Sequence, residues 1–134
     1  MKRRSYLKAM LAATAGLPEA GAQEPKKQEQ NPIVLHVDLS VDPAKEEEML
    51  RNFHNTFKPA ARKFPGYVDV KMCKLRSALQ GAAPGGVNYR FQLTYQSEEL
   101  RQKWVASETH KMVWPTIENT LSSKNYTVLL FDSV

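Results

Sequence analysis

The chain has 134 residues, 42% of them hydrophobic and 25% charged, which suits one soluble globular domain and excludes a disordered chain. Its net charge of +5 is concentrated at the start. Lys2, Arg3, Arg4, Lys8 and Glu19 account for four of the 19 basic and one of the 14 acidic residues, leaving 15 against 13 beyond residue 22. So even a balance gives no footprint for a nucleic-acid partner.

Residues 1–22 read as an export leader. The basic start is followed by the mildly apolar run Ala9–Leu17 and by Ala20-Gly21-Ala22, the small-x-small pattern cut by signal peptidases. The run is too short to span a bilayer, so no stable membrane anchor is expected once the leader is removed. Arg3-Arg4-Ser5-Tyr6-Leu7-Lys8 resembles a twin-arginine motif, which implies a bacterial periplasmic or secreted protein. Gln23 to Pro32 has no apolar side chain besides its prolines and reads as a flexible tether over 23–32. The folded domain is expected over 33–134.

In that domain Ile33, Leu35, Val37, Leu39 and Val41 alternate with Val34, His36, Asp38 and Ser40, the period of a strand with one apolar face. Asp42-Pro43 then offers an N-cap and a proline at the first helical position, with Glu46, Glu47 and Glu48 near the positive end of the helix dipole. The helix is expected from about Pro43 to Lys63, with a stripe of Leu50, Phe53, Phe57, Ala60 or Ala61, and Phe64. Pro59 should bend it, because it cannot donate to the carbonyl of Asn55. Phe64-Pro65-Gly66 ends the helix, and Tyr67 to Arg76 alternates again, with Val68, Val70 and Met72 on one side. The glycine-containing loop Ser77–Gly86 leads to a third strand with Val87, Tyr89, Phe91, Leu93 and Tyr95 inward.

Ser97 caps a short helix through Val105, Ser107 starts a second in which Pro115 introduces a kink, and Asn125 to Asp132 reads as the last strand. At helical spacing His110, Val113, Trp114, Ile117 and Leu121 share one face. A histidine on an apolar stripe is either a satisfied core residue or part of a pocket wall. The lone Cys73 allows no intrachain disulfide and has no metal-ligand spacing around it, so it reads as structural. Three scattered histidines and no paired carboxylates support neither a metal site nor hydrolytic chemistry. The order strand, helix, strand, strand, helix, strand predicts an α+β, ferredoxin-like βαββαβ fold, a four-stranded antiparallel sheet with helices on one face.

Three segments resemble the antibiotic biosynthesis monooxygenase family: Asp42-Pro43-Ala44-Lys45-Glu46 after the first strand, the turn Phe64-Pro65-Gly66-Tyr67, and Trp104-Val105-Ala106-Ser107-Glu108-Thr109-His110. The resemblance implies a homodimeric α/β barrel with a pocket between each sheet and its own helices. It also implies cofactor-independent oxygenation of a small aromatic or quinol substrate. Trp104 and His110 would carry the chemistry, with His110 or Tyr89 sharing a proton. Trp114, Tyr89, Phe53, Phe57, Val37 and Phe91 would contact the substrate. Heme-degrading relatives have an asparagine where this chain has Val37 and a heme-ligating histidine where it has Trp114. Those two departures argue against heme, and no metal or other cofactor is expected.

The opposite sheet face, with His36, Asp38, Asp69, Lys71, Asn88 and Arg90, is too charged to be buried unpaired. A dimer must satisfy these charges across the barrel or pair less tightly than its relatives. Arg90 opposite Asp38 reads as a structural pair. The alternative to an enzyme is a non-catalytic member of the fold that binds a hydrophobic ligand or serves as an interaction module. A solvent-open cavity of roughly 300 Å3 or more at the His110 ring would favour ligand chemistry over a filled core.

Overall fold

A computed structural model describes residues 31–134; the expected leader and residues 23–30 of the tether lie outside the described residues. The elements follow the expected order. Strand β1 (Ile33–Leu39) leads through a 3-10 turn (Pro43–Lys45) into helix α1 (Glu46–Asn52), a π-helical turn (Phe53–Phe57) and helix α2 (Lys58–Arg62). Strands β2 (Tyr67–Lys74) and β3 (Tyr89–Tyr95), helices α3 (Glu98–Ala106) and α4 (Glu108–Glu118), and strand β4 (Thr127–Asp132) complete the domain. The sheet order is β2-β3-β1-β4, with every pair antiparallel, which is the ferredoxin-like arrangement.

The core lies between the sheet and the helices. β1 buries alternate residues, with Val37 3% and Leu39 0% exposed, and β3 does the same through Tyr89, Phe91, Leu93 and Tyr95. The first helical region buries Met49, Phe53, Phe57 and Ala61, while Leu50 is only partly buried, so Met49 begins the stripe. Pro59 produces a change of helical period instead of a simple bend. The chain widens into the π turn, where the Lys58 N–H bonds the Phe53 carbonyl five residues back, and Pro59 enters within the first turn of α2.

Val68 is also corrected. It is 47% exposed, because the β2–β3 register shifts between Tyr67 and Asp69 and only Val70 on that strand is fully buried. Gly66, in the turn before β2, has φ +92°, and a Cβ there would lie 2.7 Å from the Leu100 side chain. The Gln96 N–H donates to its carbonyl at 2.8 Å, so this turn fixes where α3 begins.

The expected charge problem on the other sheet face is solved within the chain. Arg90 clasps Asp38 through Nε at 2.7 Å and Nη2 at 3.3 Å, and His36 packs its ring against Phe131 with centroids 4.8 Å apart. Asn88 is not on that open face. Its side chain accepts from the Val41 N–H at 2.8 Å and donates to the Val41 carbonyl at 2.9 Å, closing the end of the sheet.

Candidate functional site

A cavity of about 200 Å3 opens between the sheet and the helices. Leu35 and Val37 of β1, Phe91 and Leu93 of β3, and Val128 of β4 form its floor. The registers Val37↔Phe91 and Val37↔Val128 bring these residues side by side. Phe57 of the π turn, Arg101, Trp104 and Val105 of α3, His110 and Trp114 of α4, and Tyr126 form the walls.

Ser107 links the two residues singled out for chemistry. It ends α3 and caps α4: its hydroxyl donates to the Trp104 carbonyl at 2.6 Å and accepts from the His110 N–H at 3.1 Å. The indole and imidazole consequently meet edge to face, with centroids 5.2 Å apart and planes at 87°. On its other side the His110 ring lies nearly parallel to Trp114, at 6.3 Å and 11°. Phe57 and Phe91 pack edge-on against Trp114, at 6.0 and 5.4 Å, so an aromatic frame holds the cavity open to a flat guest.

Polar groups around this frame differ in what remains free. The Trp114 indole N–H donates to the Tyr126 hydroxyl at 3.1 Å, and that hydroxyl donates to Glu118 at 2.8 Å, so Trp114 is locked in place. Arg101 holds Glu98 through Nε and Nη2, both at 2.7 Å. Among the described residues, no side chain or carbonyl bonds the His110 ring nitrogens or the Trp104 indole N–H. Burial, and secondarily the Arg101 cation, hold His110 below its ordinary value of 6.5, so the ring is neutral near pH 7. A neutral, unpartnered imidazole can accept a proton from a bound hydroxyl.

Not every expected residue reaches the cavity. Trp104, His110, Trp114, Phe57, Val37 and Phe91 line it. Phe53 lies behind them, packed on Phe57 and Phe91 at 6.3 Å each. Tyr89 is on the expected face but at the other end of the strand, opposite Leu39. Its hydroxyl donates to Glu46 at 2.5 Å, and burial, then that carboxylate, push it up to about 12, so it is no proton acceptor near neutrality. Glu46 is held below its ordinary range by Lys74 at 2.7 Å and by Tyr89. Arg101 and Tyr126 line the cavity without having been expected there. A signal for Arg101 existed: it lies three residues before Trp104 and therefore on the same side of α3.

The cavity touches His110 and opens to solvent, but its 200 Å3 falls short of the 300 Å3 mark and suits one or two fused rings. The described residues contain no group of three or more His, Cys, Asp and Glu side chains able to hold a metal.

No protein-family model matches this sequence, and no curated protein matches it. Solved structures do. A candidate antibiotic biosynthesis monooxygenase from Caulobacter crescentus superposes with a TM-score of 0.62 at 19% identity, covering 78% of this chain and 92% of that one. A second, from Bordetella bronchiseptica, gives 0.63 at 11% identity over 78% and 99%. A dimeric ferredoxin-like protein of unknown function from Jannaschia gives 0.64 at 12% over 76% and 99%. At these identities the likeness establishes the ferredoxin-like class.

Proposed function

We propose that the protein is a cofactor-independent monooxygenase for a small aromatic substrate of the quinol type. The observation that carries this reading is the neutral His110 ring, without a hydrogen-bond partner among the described residues, held between Trp104 and Trp114 at a solvent-open cavity. The two solved structures named as candidate monooxygenases support it at the level of fold. His110 accepts the proton of a substrate hydroxyl, and the aromatic walls keep the resulting anion flat and dry beside dioxygen. For a hydroquinone, substrate plus O2 gives a hydroxyquinone and water. The substrate supplies all four electrons, one oxygen atom ends on a ring carbon, and the other leaves as water with the two hydrogens removed.

Oxygen uptake with a panel of hydroquinones and anthrones tests this. One 18O atom should enter the product, and His110→Ala should lower turnover by about a hundredfold or more. No turnover on any member, or turnover untouched by the substitution, would leave the ligand-binding alternative in its place.

The functional unit in this reading is a homodimer. β4 is an edge strand whose Val128, Leu129, Leu130 and Phe131 are 45–50% exposed, so both of its faces present apolar surface that one copy leaves uncovered. The dimeric Jannaschia protein supports the same state. Sedimentation should show a dimer, and Leu129→Asp/Phe131→Asp should shift it toward monomer. Export to the periplasm rests on the Arg3-Arg4 leader, and Arg3→Lys/Arg4→Lys should retain the protein in the cytoplasm.

A further inference from the structure

Arg101 is a guanidinium with only 18% of its side chain exposed, set into the wall of a cavity otherwise lined by aromatic and aliphatic side chains. Such a group must be paired, and Glu98 pairs it on one edge alone. Nε and one nitrogen of the fork, Nη2, are engaged; among the described residues the other, Nη1, has no acceptor. The Trp104 indole N–H, on the same helix and in the same wall, also lacks one. The cavity is thus supplied with donors that no acceptor among the described residues satisfies, at the end where Arg101 is close enough to His110 to disfavour a charge on the ring. Donors held in place without acceptors favour a ligand that brings its own negative oxygens.

We infer that the cavity selects aromatic acids: a one- or two-ring hydroxyaromatic whose carboxylate is bound by the free edge of Arg101 while its hydroxyl faces His110. This rests on the cavity being the ligand site, and it adds the substrate's charge and the residue that reads it. Glu98 holds the guanidinium plane in register, so recognition depends on the fork and not on charge alone. A lysine at 101 would keep the charge and lose the geometry.

Calorimetric titration with three probes of one size separates the claims: 2-naphthoate, 2-naphthalenemethanol and 2-naphthylmethylammonium. The wild type should bind the carboxylate about tenfold more tightly than the alcohol, and the ammonium most weakly. Arg101→Met alone would strand the Glu98 carboxylate, so Glu98→Gln/Arg101→Met is the informative variant. It should lose the carboxylate preference while keeping alcohol affinity within about twofold, and Arg101→Lys should retain only part of the preference. Equal binding of carboxylate and alcohol by the wild type, or a preference that survives the double variant, overturns the role of Arg101 and leaves the cavity intact as a ligand site. Failure of all three probes to bind overturns the cavity reading, and the inference with it.

Discussion

The cavity under the helices and the hollow at the far end of the sheet, which reaches round to its other face, are of comparable size, about 200 and 300 Å3, but their polar groups are in opposite states. In the hollow, which Asp38, Lys74, Tyr89 and Arg90 help to line, Arg90 clasps Asp38 by the same two nitrogens that Arg101 uses, but it is 48% exposed and water serves its other edge, and both Lys74 and the Tyr89 hydroxyl are spent on Glu46. Beneath the helices His110 and the Trp104 indole N–H have no partner among the described residues, and Arg101 has one edge to spare. The larger space is therefore a surface whose charges are already answered. The smaller one has chemistry left to do, and volume alone would have chosen wrongly.

Substitutions on the two faces should separate sharply. Trp104→Ala removes a side chain 1% exposed, against which Phe57, Phe64 and His110 pack, and should cost about 3–5 kcal/mol in denaturant unfolding together with all ligand binding. A loss below about 1 kcal/mol would mean that the aromatic frame is not under tension from packing. Turnover should next show an acid limb with its midpoint below 6.5. The base form of His110 is the active one, and burial and Arg101 keep it deprotonated to lower pH. Removing the cation without stranding its carboxylate, with Glu98→Gln/Arg101→Met, should move that midpoint upward, measured as the pH profile of kcat/KM. The smallest effect belongs to the rear face. Asp38→Asn/Arg90→Met removes an ion pair whose cation is 48% exposed without stranding the Asp38 carboxylate, only 12% exposed, and should cost less than about 1 kcal/mol, with turnover within twofold of wild type.

One group outside both cavities offers a control on this accounting. The Tyr95 hydroxyl is buried without a hydrogen-bond partner among the described residues, and burial raises its titration well above the ordinary phenol range. Tyr95→Phe should therefore be neutral or stabilising by up to about 1 kcal/mol in thermal unfolding. A clear loss of stability would reveal a bonding partner, such as a buried water.

Much of this architecture is legible in the sequence because the periods are clean. The alternation from Ile33 to Val41 gives β1 and its buried face, and the serines at 97 and 107 mark the starts of α3 and α4. Trp104, His110 and Trp114 come together because helical spacing and a single Ser107 junction leave them little choice. What escaped reading has local causes. A bulge reverses Val68, and a π turn adapts the first helix to Pro59; neither leaves a mark in a two-period analysis. Tyr89 shares a strand face with Phe91 but lies one pleat repeat further along, about 7 Å away, which is enough to leave the cavity. Arg101 carries no such mark in the sequence beyond its spacing from Trp104, because a charged residue on a helix is normally a solvated one.

The chain contains two tryptophans, which give two indole N–H signals in a nitrogen-15 correlation spectrum, and both residues line the helix-side cavity. Titration of the labelled protein with 2-naphthoate should shift both signals, with His110 and Arg101, along one saturable curve and leave Cys73, Lys74 and Arg90 unmoved. Shifts confined to those three residues of the other hollow, with the indole signals stationary, would contradict the account.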